Sequence, residues 1–447
     1  MKNIFFILVL IVSCNVNGAI LNFSGPHVPV DLTCPVIKKN ALDIKKVIKP
    51  SSDRLEIPDE DDIKSFLDIK TNTKAQSINL SKLNNDHVPS LAVWGDSHMA
   101  AGIFTDEIVR GLAIESTEVQ PQFIPALFGR GGVKMPVKRF CKDNGWKTEL
   151  AYRTRVKKFS ESLAAMSSDV ENSFLWVDFR NSTNEPALNE LAIQSEILSQ
   201  DATLGISIDD APEQELSYTE LSNSNSITIK SDTPFSIVKI RLIKGKIALH
   251  GFIPRYVRTP KLYLDVLAIP GAISNGLQYL NLSNKASDAS LKTNPYDLVF
   301  IEFGTNEGAD TNFNPMTYKQ DLSLSLSNFR KNFPDSRCVL IGPPDRGVLI
   351  RRSYKTKKNH QVHKIDVLKF SKVHSQIAAI QVELSESYKC GFWDWQGAMG
   401  GQGSAYKWLK ESPPLFGRDL THLSYIGYQR SAQIFMRDLN LNDLIRN

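Results

Sequence analysis

LAVWGDSHMAAG, residues 91–102, passes from an apolar run straight into a polar corner. Leu91-Ala92-Val93-Trp94 reads as a short buried strand. Gly95 and Asp96 break it, Ser97 stands at the turn, and a helix follows. In that helix Phe104, Ile108 and Leu112 recur every fourth position, which marks one apolar face. A serine on a strand-to-helix turn has two readings. It can cap the helix, or the turn can present its hydroxyl for attack while the helix N-terminus offers amide donors to an anion. Partners elsewhere in the chain decide between them.

Outward from this stretch the strand–helix alternation continues. QFIPALFG (122–129) is the next strand-like run. KLYLDVLAIPG (261–271), DLVFIEFG (297–304) and CVLIGPPD (338–345) follow, each ending in a turn. A helix is expected from about Pro315 to Arg330, with Leu322, Leu326 and Phe329 on one face and Pro315 near its start. Residues 365–388 read as a long helix, and a last helix begins near Leu423. Such alternation predicts an α/β fold with a mostly parallel sheet, with its site at the C-terminal strand ends. Ser97, Gly304 and Gly342 all fall just past such ends.

Between about 170 and 255 the character changes. SFLWVDF, SITIKS, FSIVKIRLI and KIALHGFI are short β-branched and aromatic runs separated by polar linkers. This predicts an all-β insert at 170–255, dividing the α/β portion into 89–169 and 256–447. Residues 19–88 are polar and mixed, and read as a partly helical N-terminal extension packed on the main domain. At 447 residues, more than one domain is the expectation. A net charge of +5 and the absence of nucleic-acid motifs argue against a nucleic-acid partner.

Residues 1–18 have the pattern of an export signal. Lys2 is a minimal positive region, and Ile4 to Val12 is unbroken and apolar but too short to span a bilayer. Two cleavage readings stand. Ile11-Val12-Ser13-Cys14 resembles a bacterial lipobox, which would leave Cys14 lipidated and anchor the chain to a membrane. Val16 and Gly18 alternatively suit ordinary cleavage before Ala19. Export permits disulfides. Cys34, Cys141, Cys338 and Cys390 allow three pairings, and Cys338 could instead simply be buried in its strand.

A nucleophilic serine needs a base, and the base an orienting acid. In GRDLTHLSYIGY (417–428), Asp419 lies three residues before His422, a spacing that lets the carboxylate hold the ring. The competing reading is that Asp419 and Thr421 cap the last helix. Donors for a developing oxyanion are offered by the Asn306 amide, two residues past Gly304, and by the backbone N–H of Gly271 at another strand end. Gly276 is close enough in sequence to serve instead of Gly271. No spacing fits a metal site, and no cofactor is expected.

In this order, Gly95-Asp96-Ser97, Gly271, Gly304-Thr305-Asn306 and Asp419-Leu420-Thr421-His422 resemble the four blocks of the SGNH (GDSL) hydrolases. The resemblance implies a three-layer α/β fold, with Ser97 as nucleophile and oxyanion donor. Gly271 and Asn306 would complete the oxyanion hole, His422 would be the base and Asp419 its orienting acid. The variants GDSH and GTNE, FWDWQGAMGG (392–401) before the last block, and the β-rich insert are similar to bacterial peptidoglycan O-acetylesterases. That closer likeness implies an enzyme, an insert like a carbohydrate-binding module, and a location in the periplasm or at the outer membrane. It implies O-acetylated peptidoglycan as partner, with acetyl removed from the 6-hydroxyl of N-acetylmuramic acid. An O-acetyltransferase with the same triad, or a non-catalytic envelope carbohydrate-binding protein, are the competing functions. Trp393 and Trp395 are sugar-stacking candidates, with at least one expected in the core. His98 either lines the acetyl pocket or is a polar helix-start residue. His360 and His363 read as part of a solvated basic loop.

Overall fold

The computed structural model describes residues 19–30, 33–34, 53–58, 63, 87–154, 158–181, 184, 187–222, 225–282, 293, 295–353 and 366–445. Residues 1–18 with Cys14, and the histidines at 360 and 363, lie outside the described residues. The predicted buried strand is Ser90–Trp94, and every residue of it is buried. It sits inside a six-stranded sheet. The spatial order is Gly391–Trp393, Arg337–Ile341, Leu298–Glu302, Ser90–Trp94, Leu262–Val266 and Val119–Gln120. Each pairing in it is parallel.

Both faces of this sheet are covered, which is why its strands read as continuous apolar runs rather than alternating ones. Leu91, Val93, Phe300, Val339 and Ile341 face one core with Phe104, Trp393, Trp395 and Phe435. Ala92, Trp94, Val299, Ile301 and Leu340 face the other with Leu322, Leu326 and Phe329. Helices Ile103–Gly111 and Tyr425–Leu439 lie on the first side; Pro315–Asn332 and Lys369–Ser387 lie on the second. The result is three layers. Pro315 opens its helix as expected, with the Asn314 side chain accepting from Met316 and Thr317 N–H. Among the described residues no helix is long and apolar enough to cross a membrane.

The β-rich part forms two more sheets around a third core. One has five antiparallel strands, drawn from Arg139–Lys142, Ser173–Asp178, Thr203–Ile208, Gln214–Leu216 and Ile237–Lys244. The other is mixed: Ala19–Phe23 joins it parallel to Ser226–Phe235, and the remaining pairings are antiparallel. The stretch of chain in these sheets is wider than 170–255. Arg139–Lys142 and Lys147–Leu150 are short and largely polar, so no apolar run announces them. Ile124–Pro125, from the QFIPALFG run, pairs with Ile247–Tyr256 of the mixed sheet rather than with the parallel sheet. Most of 19–88 lies outside the described residues; of its two described strands, Ala19–Phe23 joins the mixed sheet and Asp53–Glu56 pairs with Ile350–Ser353. The cysteines pair Cys34–Cys141 and Cys338–Cys390, so buried Cys338 is bonded and not free.

Candidate active site

The turn after Trp94 is shaped by what surrounds it. A Cβ on Gly95 would stand 3.0 Å from both Glu302 Oε2 and Met99 Cγ, so only glycine fits without displacing them. Asp96, not Ser97, is the N-cap of the short helix Ser97–Ala100: its Oδ1 accepts from His98 N–H at 2.8 Å. The capping role is therefore taken, and the Ser97 hydroxyl is left for another partner. Ser97 Oγ lies 2.9 Å from His422 Nε2. His422 Nδ1 lies 2.7 Å from Asp419 Oδ2, so the three groups form one relay.

The second capping reading fails as well. The helix Tyr425–Leu439 is capped by Ser424, whose Oγ accepts from Gly427 N–H at 3.1 Å. Asp419 is free to hold the imidazole. Its Oδ1 accepts from the backbone N–H of Thr421 and His422, each at 3.0 Å. Burial pushes the Asp419 carboxyl up, but the His422 ring and these N–H groups outweigh it, and it titrates below the usual carboxylate range. Asp419 is thus held ionised beside the imidazole. The His422 side chain keeps 44% of its exposure, so the relay opens to solvent.

The candidate oxyanion donors fall beside this relay. Leu267 and Ile269 N–H continue past their strand to donate to Val93 and Gly95 O, at 2.8 and 3.0 Å, which draws residues 270–272 alongside the Ser97 turn. Gly271 has φ +82° and its N–H has no protein acceptor among the described residues. The same holds for Ser97 N–H. Gly276 N–H is spent on Ile273 O at 3.2 Å, inside a short 3-10 turn. Asn306 Nδ2 donates to Asp96 Oδ2 at 3.0 Å and to Ala272 O at 2.9 Å, so both its hydrogens are engaged without substrate. Donation to an oxyanion requires exchanging one of them, and the neutral Ala272 carbonyl is the weaker acceptor.

Behind Asn306 lies a layer that sequence reasoning missed. Asp96 N–H donates to Glu302 Oε2 at 3.2 Å. Both carboxyls are sealed from water. Burial, with repulsion from Glu307, raises Asp96 to about 7, and burial with repulsion from Asp96 raises Glu302 well above the carboxylate range. Glu307 is also pushed up by burial, while its Oε1 accepts from Ser274 N–H at 2.8 Å. Glu302 and Glu307 stand in the quoted FIEFGTNE run, but nothing in their spacing distinguishes a buried acid from a surface one.

The other candidates resolve as follows. Trp393 and Trp395 are both fully buried. Their indole N–H groups donate to Asp438 Oδ2 at 3.0 Å and to Ser431 Oγ at 2.9 Å. Both are core residues, and neither can stack on a sugar. His98 is buried, with Nδ1 3.0 Å from the Tyr428 hydroxyl and its ring against Trp395. Its ring centroid lies 5.4 Å from that of His422. Burial, then the neighbouring His422, hold it neutral. It is a wall behind the base. No group of three or more His, Cys, Asp or Glu among the described residues is arranged to hold a metal.

Among solved structures, this chain is similar to a peptidoglycan O-acetylesterase at 17% identity and a TM-score of 0.55. The match covers 81% of this chain and 93% of that one. The two chains share a fold. A more distant likeness is a family two carbohydrate esterase from Cellvibrio japonicus, at 9% identity and a TM-score of 0.27, covering 68% of this chain and 99% of that one. No family model and no curated protein sequence matches. In this fold Ser97, Asn306 and the Asp419–His422 pair meet at the C-terminal edge of the parallel sheet, the position that open α/β sheets reserve for ligands.

Proposed function

We propose that this chain is a serine esterase that removes O-acetyl groups from the 6-hydroxyl of N-acetylmuramic acid in peptidoglycan. The observation that carries the reading is the Ser97–His422–Asp419 relay beside two free backbone N–H groups. Ser97 Oγ attacks the acetyl carbonyl carbon while His422 Nε2 takes its proton. The oxyanion is met by the N–H groups of Ser97 and Gly271 and by the Asn306 amide. Collapse expels the sugar hydroxyl, which takes the proton back from His422. Water, deprotonated by the same imidazole, then attacks the acetyl-serine and releases acetate. The likeness to a peptidoglycan O-acetylesterase along most of both chains supports the substrate, and the signal-like residues 1–18 support export to the periplasm or to an outer-membrane lipoprotein.

The β-rich part engages the glycan and takes no part in the chemistry, since it holds none of the site residues. The test is acetate release from O-acetylated peptidoglycan, compared with O-acetylated xylan, with and without an added glycan acceptor. Preferential release from peptidoglycan, unchanged by acceptor, supports the reading. Acetyl appearing on the acceptor would make the chain a transferase, and preference for xylan would overturn the substrate.

A further inference from the structure

Arg346 follows the strand Arg337–Ile341 on the loop GPPDRG and reaches the edge of the site. Its guanidinium lies over the Phe370 ring, 4.2 Å from the centroid. One nitrogen, Nη1, makes a long contact to Thr305 O at 3.4 Å, and Thr305 precedes the oxyanion residue Asn306. Nε is sealed from solvent with no acceptor, and among the described residues Nη2 has none either. No carboxylate of the described residues forms an ion pair with it. The charged and titratable groups that act on it or feel it are Asp419, Asp96, His98 and His374.

A cation in this state is unusual. Sealing the Nε–H of a part-buried guanidinium with no acceptor is costly, and Arg normally meets a carboxylate with several donors at once. Stacking on Phe370 fixes the plane without using any donor. Asp419 and Asp96 are nearby but committed, to His422 on one side and to Asn306 and His98 on the other. Nη2, which is not sealed and has no acceptor among the described residues, is the edge that an acceptor from outside the protein can reach.

We infer that Arg346 is a specificity residue that binds a carboxylate carried by the acetylated sugar. The inference rests on the muramic acid reading above. That sugar bears a lactyl ether on the same ring as its 6-hydroxyl. The carboxylate has two sources: the lactyl group itself where the stem peptide has been removed, or a carboxylate of the stem peptide.

The test is competitive inhibition of 4-nitrophenyl acetate hydrolysis by three compounds. N-acetylmuramic acid carries a free lactyl carboxylate. An N-acetylmuramoyl dipeptide carries only peptide carboxylates, and N-acetylglucosamine carries none. At least one acid should inhibit the wild type ten or more times more tightly than N-acetylglucosamine, and which acid does so identifies the source. In Arg346→Gln that preference should fall at least tenfold more than kcat on the aryl ester falls, and Arg346→Lys should restore part of it. Equal inhibition of the wild type by all three compounds overturns the inference, even if no variant folds. So does a preference that survives Arg346→Gln. If the acids bind as expected but acetate is not released from peptidoglycan, the substrate reading fails and the carboxylate site stands.

Discussion

Asn306→Ala separates the oxyanion role from simple turn chemistry. In the resting site the Asn306 amide holds Asp96 Oδ2 and Ala272 O at 3.0 and 2.9 Å. Removing one oxyanion donor generally costs roughly 10² to 10³ in kcat, or about 2.7–4 kcal/mol. Here the donor must first surrender a neutral hydrogen bond worth about 1 kcal/mol net, so its net contribution is smaller and the expected loss is about 10². Ser97 and Gly271 N–H remain as donors. The same change strips a donor from buried Asp96, which should lower stability by about 1–3 kcal/mol. The assay is kcat and KM on 4-nitrophenyl acetate, with Tm followed alongside. kcat should fall with KM within about threefold. A loss confined to KM, or a kcat close to wild type in a folded variant, would refute the exchange argument and leave Asn306 as a turn residue.

Ser97→Ala should abolish turnover with Tm within a degree or two, because Asp96 and not Ser97 caps the helix; a serine-directed ester reagent should label Ser97 alone, and labelling elsewhere refutes the assignment. His422→Ala should be as severe, and Asp419→Ala milder, since orienting acids contribute less than base or nucleophile in some triads; the reverse order in kcat would remove Asp419 from the relay. The pH–rate profile should fall on its acid side, because a histidine base must be neutral to accept the serine proton, while Asp419, held below the usual carboxylate range, stays charged. A rate flat between about pH 5 and 8 excludes a histidine base. Asp265 is buried, accepts from Tyr296 Oη at 2.6 Å, and is raised by burial to about 7 from 3.8. The native state then holds a proton the unfolded chain has lost, so stability should decline as pH rises from about 4 to about 7. Asp265→Asn should flatten that decline by a few kcal/mol in denaturant titrations; an unchanged slope would show the carboxyl ionised in the fold.

What was legible in the sequence and what was not divides along physical lines. The parallel sheet could be read because strands buried on both faces must be apolar at every position, and LAVW and LVFIE are. That Ser97, Asp419 and His422 meet could be anticipated because they are individually reactive types standing at strand or helix ends. Which group caps was not legible: Asp96 and Ser97, or Asp419 and Ser424, are equally good caps on paper, and only the backbone conformation at Asp96 and Ser424 decides. The choice of Gly271 over Gly276 had the same character, since it depends on whose N–H a local turn has already consumed. The early strands of the sandwich were lost because short polar segments such as RFCK and KTEL carry no period that distinguishes them from loop.

The acids beside the site and Arg346 were invisible for a further reason. Their significance is burial without a matching partner, and sequence records neither. A chain that seals Asp96 and Glu302 together must keep a proton between them, and that proton lowers the negative charge facing the place where the oxyanion forms. The same layer leaves Arg346 without a carboxylate to pair with. Neutralising the acids and keeping a cation unpaired both make the pocket more favourable to negative charge. In the proposed reaction one such charge appears briefly on the carbonyl oxygen during attack by Ser97, and the other would be carried permanently by the substrate.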